Sequence, residues 1–140
     1  MPSARTLGVP DIELAGAEGR TVNPSDFAGH DLVVLFCPAD RQSAARELAD
    51  YNALADALAY NDAYMVAVCG PEAGLPASRI SVATDAERAW EAFSSCLGKR
   101  ERPSRAEGAV FLFGRGGCLR QMRPGVGHAK EVGRWLGERM

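Results

Sequence analysis

Leu32-Val33-Val34-Leu35-Phe36-Cys37-Pro38-Ala39-Asp40-Arg41-Gln42-Ser43-Ala44-Ala45-Arg46-Glu47 is the stretch on which the rest of the chain hangs. Five apolar residues, Leu32 to Phe36, read as a strand buried on both faces. Pro38 ends it, because proline has no N–H to give to a sheet ladder. A helical pattern follows almost at once, from about Ser43 to Leu58, with Ala44, Leu48, Tyr51, Ala55 and Leu58 in one stripe facing the sheet. Arg46, Glu47, Asp50 and Asp56 fall on other faces and read as solvated. A strand that feeds straight into a helix start exposes free backbone N–H groups and the positive end of the helix dipole, a setting that favours an anion or a thiolate.

Working outward, residues 10 to 22 read as a hairpin turning at Ala17-Glu18-Gly19, and Ser25-Asp26-Phe27 as a short helical turn. Tyr64 to Val68 is a second core strand, ended by Cys69-Gly70-Pro71. Glu72 to Ser78, interrupted by Gly74 and Pro76, leaves room for a loop or one helical turn, and the thinned helical layer suggests an exposed apolar strip suited to a dimer surface. Ile80 to Val82 is a short strand. Thr84 and Glu87 have the spacing of a capping box for a helix that buries Ala86, Ala89, Trp90, Phe93 and Leu97. Lys99 to Glu107 is a polar loop, Ala109 to Phe113 a buried strand, and Cys118 to Met122 its hairpin partner. A last helix, about His128 to Leu136, buries Val132, Trp135 and Leu136. This order predicts an α/β three-layer sandwich: a central mixed sheet, helices on both faces and an N-terminal β-hairpin, all in one domain spanning 1–140.

The arrangement resembles the peroxiredoxin family and, more loosely, the thioredoxin-like group. Val9-Pro10-Asp11-Ile12-Glu13-Leu14 is similar to the family's opening Ala-Pro-Asp-Phe-x-Leu. Phe36-Cys37-Pro38 is similar to its Phe-Tyr-Pro. Ala109 to Phe113 with Gly116-Gly117 is similar to its Ser-Thr-Phe-Leu-Ile followed by Asp-Gly. The resemblance implies a thiol-dependent peroxidase or oxidoreductase, and it also shows what is missing. The pattern Pro-x-x-x-Thr-x-x-Cys, counted from Pro38, puts the threonine at Gln42 and the peroxide-attacking cysteine at Ala45. The family's second arginine falls on Gly108. In the thioredoxin register the two cysteines fall on Arg41 and Ala44. An alanine methyl attacks neither a peroxide nor a disulfide.

Cys37 is then the thiol nearest the helix start. It reads either as a displaced redox thiol, activated by the N–H groups around Gln42 to Ala45, or as a small buried hydrophobe at a strand end. Arg105, three residues before Gly108, and Arg41 are the cations able to face such a thiolate, against the plainer reading of solvated arginines. Pro38, Asp40, Arg41, Gln42 and Ala45 outline the pocket at the family's active-site positions. Asp40 or Ser43 can instead cap the helix, and an Asp40 turned onto the helix end would fill the anion site itself. A Cys37–Cys69 disulfide requires Cα atoms within roughly 7 Å. Cys96 reads as structural, and Cys118 has no assigned role.

The composition is that of an ordinary soluble globular chain: 140 residues, 46% hydrophobic, 24% charged, net charge −2. That charge argues against nucleic acid and membrane surfaces as partners. Scattered cysteines and histidines, with His30 and His128 expected at the surface, give no metal spacing, so no cofactor is expected. The N-terminus lacks a signal-like apolar run, which points to a reducing cytoplasm with its cysteines as thiols. The partners implied are a second copy of the chain and a thiol-reductant protein. Three functions stay open: a redox enzyme using Cys37, a catalytically inactive binding or dimerisation module, and a small-molecule binding domain.

Overall fold

Leu32–Phe36 forms β3, every residue of it buried, in the middle of a five-stranded sheet ordered β5-β4-β3-β6-β7. A computed structural model describes residues 8–16, 19–69, 79–84, 86–97 and 104–138. β4 (Tyr64–Val68) pairs parallel with β3, and β5 (Ile80–Ala83) parallel with β4. β6 (Ala109–Phe113) runs antiparallel on the other side of β3, followed by β7 (Leu119–Pro124). β1 (Leu14–Ala15) and β2 (Thr21–Val22) form the antiparallel hairpin, with a 3-10 turn at Pro24–Phe27 after it. Pro124 ends an edge strand, where a missing N–H removes no interior ladder bond.

Alternate residues of the central strands serve two cores. Val33, Leu35, Met65, Ala67, Val110 and Leu112 pack under the helices α1 (Arg41–Asn52), α2 (Ala55–Tyr60) and α4 (Ala129–Glu138). Val34, Phe36, Val66, Val68, Phe111 and Phe113 pack on the opposite face with α3 (Ala86–Ser94) and the hairpin. On that face Phe36 meets Phe93 and Phe111 edge-on, with ring centroids 5.7 Å apart, and Phe93 and Phe111 meet at a tilt, 5.8 Å apart. The three-layer α/β sandwich expected from the sequence is therefore present, with Val132, Trp135 and Leu136 buried as expected.

Four local expectations change. The helix read as continuous to Leu58 breaks at Ala53–Leu54, where the Leu54 N–H bonds back to the Tyr51 carbonyl at 2.9 Å. Leu54 turns in against α4 at Gly133, where a Cβ would stand 3.2 Å from its Cδ2. Glu47, expected in solvent, is buried at 4% exposure. The Thr84 hydroxyl donates to the Ala15 carbonyl at 3.2 Å, tying β5 to the hairpin instead of capping α3. The last hairpin strand starts one residue later than read and ends two later, at Leu119–Pro124, with a register shift between Leu112 and Phe113. The expected turn or short helix at Glu72 to Ser78 lies outside the described residues, as do Ala17-Glu18 of the hairpin turn. Among the described residues, no helix is long and apolar enough to cross a membrane.

Candidate functional site

Cys37 and Cys69 are the first residues after β3 and β4 and lie side by side. The Phe36–Val68 pair is the last in register, and the Cys37 N–H donates to the Val68 carbonyl at 3.0 Å. Strand alternation turns both side chains toward the α1/α2/α4 face, each in step with Leu35 and Ala67 behind it. Their Cα atoms are 5.1 Å apart, and the two sulfurs are joined in a disulfide. The expectation that all four cysteines stay thiols is thus corrected for this pair. Strand ends in a parallel ladder place residues of equal parity on one face, which is what this bond needs. Cys37 is half-buried, whereas Cys69 is 3% exposed and packed in the core.

The start of α1 is closed to a second anion. Asp40 is its N-cap, and its carboxylate accepts from the Ser43 N–H at 2.9 Å and the Ser43 hydroxyl at 2.8 Å. Those two bonds hold the Asp40 acid below its ordinary range. The Ala44 N–H is taken by the Asp40 carbonyl at 2.8 Å. The expected stabilisation of a Cys37 thiolate by the N–H groups of this turn is therefore reduced, because Ser43 and Ala44 already have acceptors. Arg41, Gln42 and Ala45 lie on the exposed surface of α1.

A cavity of about 470 Å³ opens beside Pro38. One wall is Asp40 and Ser43 at the start of α1. A second is Ala106 and Glu107 on a 3-10 turn (Arg105–Glu107). The third is the turn Pro124, Gly125 and Val126 after β7. Of the residues expected to outline a pocket, Pro38 and Asp40 do so, while Arg41, Gln42 and Ala45 do not. Arg105, on the same 3-10 turn, is exposed and does not line the cavity, and no hydrogen bond or ion pair joins its guanidinium to the described residues. It contributes backbone: its carbonyl accepts from the Gly108 N–H at 3.1 Å, and the Ala39 N–H donates to Ala106 at 2.9 Å.

Gly108 explains why no side chain stands at the position where the resemblance expects an arginine. Its φ is +82°, and a Cβ there would lie 2.8 Å from the Phe36 carbonyl oxygen and 3.1 Å from the Pro38 nitrogen. Only glycine lets the two segments approach this closely. Cys96 is a buried free thiol donating to the Gly8 carbonyl at 3.4 Å, and burial pushes its pKa up. Cys118 is free and exposed. Among the described residues, no three His, Cys, Asp or Glu side chains are grouped to hold a metal ion.

Sequence reasoning missed Glu47, whose burial breaks the polarity pattern of α1, and Gly125 and Val126, which carry no chemical signal of their own. The adjacency of Cys37 and Cys69 was readable from two equal strands that each end in cysteine.

No family model matches the sequence, and no curated relative matches it. Solved structures do. The chain is similar to the bacterioferritin comigratory protein of Xanthomonas campestris, studied for alkyl peroxide reduction, at 23% identity and TM-score 0.73, covering 96% of each chain. It is similar to the mitochondrial 2-Cys peroxiredoxin of Plasmodium falciparum at 12% identity and TM-score 0.68, covering 95% of this chain and 92% of that one. It is also similar to the exposed lipoprotein thioredoxin of Streptococcus pneumoniae at 19% identity and TM-score 0.63, covering 92% and 99%. These likenesses establish a peroxiredoxin- and thioredoxin-like fold over nearly the whole chain.

Proposed function

We propose that this chain is a divergent peroxiredoxin-like redox protein whose working couple is the Cys37–Cys69 dithiol/disulfide. The observation that carries the reading is the placement of both sulfurs at adjacent strand ends, Cα atoms 5.1 Å apart, with Cys37 half-buried and Cys69 sealed in the core. Two sulfurs that can alternately join and part can carry two electrons without a metal or organic cofactor.

The unequal burial sets the order of events. A thiolate of a dithiol reductant attacks the Cys37 Sγ, forming a mixed disulfide. The Cys37–Cys69 bond breaks, and Cys69 Sγ leaves with the electron pair and takes up a proton. The reductant's second thiolate attacks its own sulfur in the mixed disulfide, which releases Cys37. The reductant has lost two electrons and the pair has gained them. In the oxidising half, the Cys37 thiolate attacks the terminal oxygen of a hydroperoxide, the O–O bond breaks, and the alcohol leaves with a proton. Cys69 then attacks the resulting sulfenic acid, expels water and restores the disulfide. One hydroperoxide and two thiols thus give one alcohol, one water and one disulfide.

The test is hydroperoxide consumption with a dithiol reductant, in the full chain and in Cys37→Ser and Cys69→Ser variants. Turnover should vanish in Cys37→Ser. In Cys69→Ser treated with hydroperoxide before any reductant is added, Cys37 should accumulate as a sulfenic acid, because the sulfur that would condense with it is gone. Consumption that survives Cys37→Ser would overturn the reading. The second reading, a binding module without turnover, draws support from Asp40, whose carboxylate occupies the helix start where a thiolate would gain most. It is favoured if no reductant sustains turnover in the wild type.

A further inference from the structure

Three hydrogen bonds join the walls of the cavity beside Pro38 to one another, and a fourth, between His128 Nε2 and the Pro124 carbonyl at 2.8 Å, holds the third wall to the start of α4. The Ala39 N–H donates to the Ala106 carbonyl at 2.9 Å, and the Gly125 N–H to the Gly108 carbonyl at 2.8 Å. The third runs from the Gly127 N–H to the Glu47 carboxylate, both of whose oxygens accept at 3.2 Å. Gly127 directly follows Gly125 and Val126 of the third wall, and Glu47 lies on α1 behind Ser43 of the first. Only the third bond has an acceptor that gains or loses a proton. We propose that Glu47 is a protonation-controlled tether that fixes the Pro124–Val126 wall against α1 and so sets the width of the cleft next to Cys37. The proposal concerns the shape of the cleft, and it holds whether or not the sulfur pair turns over.

The chemistry is simple. A carboxylate offers the Gly127 N–H two acceptor oxygens. The protonated acid turns one of them into a hydroxyl and weakens the bond, since hydrogen bonds to a charged acceptor are roughly twice as strong as neutral ones. A buried acid is also poised for the change. Burial raises the Glu47 pKa above 4.5, Asp50 on the same helix adds to the rise, and the Gly127 bond and His128 oppose it. The groups facing it are Asp50 and Tyr51 on α1 and His128 at the start of α4, with Glu131 beyond them, near Tyr51 and bonded to His128. Arg123 of β7 lies 3.7 Å from Glu131. The Tyr51 hydroxyl is buried and has no hydrogen-bond partner among the described residues. It stands near enough to Glu47, Glu131 and Asp50 for their charges to push its own pKa up, although burial is the larger cause. Val126, 48% exposed at the cavity, is the residue the tether restrains most directly.

The experiment is a pH titration of the backbone amide resonances of the full chain, in wild type and in Glu47→Gln. Glutamine keeps the side-chain length and a carbonyl acceptor, so the bond persists without its titration. In wild type, the Gly127 amide proton should move upfield as pH falls, with a midpoint above 4.5, and the Gly125 and Val126 amides should follow with the same midpoint. That step should vanish in Glu47→Gln. A separate step from His128, above pH 6.5, should persist in both. The wild-type titration stands by itself if the variant fails to fold. A Gly127 amide without the lower step, or a step that Gly125 and Val126 do not share, would overturn the proposal.

Discussion

Reduction of the Cys37–Cys69 bond is expected to cost the folded chain several kcal/mol while leaving its fold in place. The two residues are 32 apart in sequence, so the bond closes a long loop in the unfolded chain. Chain-entropy reasoning gives a loss of about 12 cal/mol/K for a loop of that length, or ~3.7 kcal/mol at 25 °C. Reduction moves the two sulfurs from bonding distance to van der Waals contact and removes no heavy atom, so no cavity term is added. For a urea m-value of about 2 kcal/mol/M, the unfolding midpoint should fall by roughly 2 M in the presence of reductant. Cys96 and Cys118 are free, so reductant acts on this pair alone among the described cysteines. The assay is paired urea titrations followed by far-UV circular dichroism, with and without a dithiol, and with free thiols counted at each end. By reciprocity, folding favours the oxidised pair over the reduced one by the same energy, a factor of roughly 500. A midpoint shift below about 0.3 M, with full reduction verified by thiol count, would refute the loop-closure argument. It would mean that the unfolded chain keeps these two strands together without the bond.

Gly108→Ala should lose about 2–3 kcal/mol in thermal or urea unfolding, from the left-handed backbone and the 2.8 Å approach to the Phe36 carbonyl; a change under 0.5 kcal/mol would show that this contact yields freely. Asp40→Ala should destabilise the fold and Asp40→Asn should do so less, since the amide still caps α1; the depressed Asp40 pKa makes its contribution full above pH 4 and lost as pH falls through the folded value, so the variants should converge with wild type in acid. Asp40→Asn should also speed alkylation of reduced Cys37, because a negative charge leaves the helix start; unchanged labelling would separate Asp40 from the thiol. Burial disfavours charge on His128, yet its bonds to Glu131 at 2.9 Å and to the Pro124 carbonyl at 2.8 Å raise its pKa above 6.5. Its contribution, held to roughly 0.5 kcal/mol by solvent screening, is therefore full below pH 6.5 and lost as pH rises through the folded value. Melting curves from pH 6 to 8.5 should show that decline in wild type and not in His128→Gln.

The three central strands, β3, β4 and β6, were legible because each is a run of five apolar residues, and a strand buried on both faces admits little else. The helix α3 and the last helix were legible from their periodicity. The break at Leu54 was not, because two helices joined by a tight turn keep the same spacing of apolar residues; only the presence of Gly133 on another element makes room for it. Glu47 was misread for a related reason: its partner is an N–H eighty residues away, and a backbone donor leaves no mark in the sequence. Asp40 was legible in part, since its type suits a cap, but a choice between capping and a vacant anion site depends on a rotamer. Cys37 and Cys69 could be placed at strand ends, while their shared face depended on register, which is set by tertiary pairing.

The glycine at 108 also limits how this scaffold can be engineered. Anyone wishing to equip it with a guanidinium at that spot cannot do so by exchanging one codon, since the newcomer's first carbon would collide with main chain on the neighbouring segment. The route would have to begin by re-routing the backbone around Phe36 and Pro38, and that is the same backbone from which the Cys37 sulfur projects. Installing the cation and keeping the sulfur bridge are thus competing design goals.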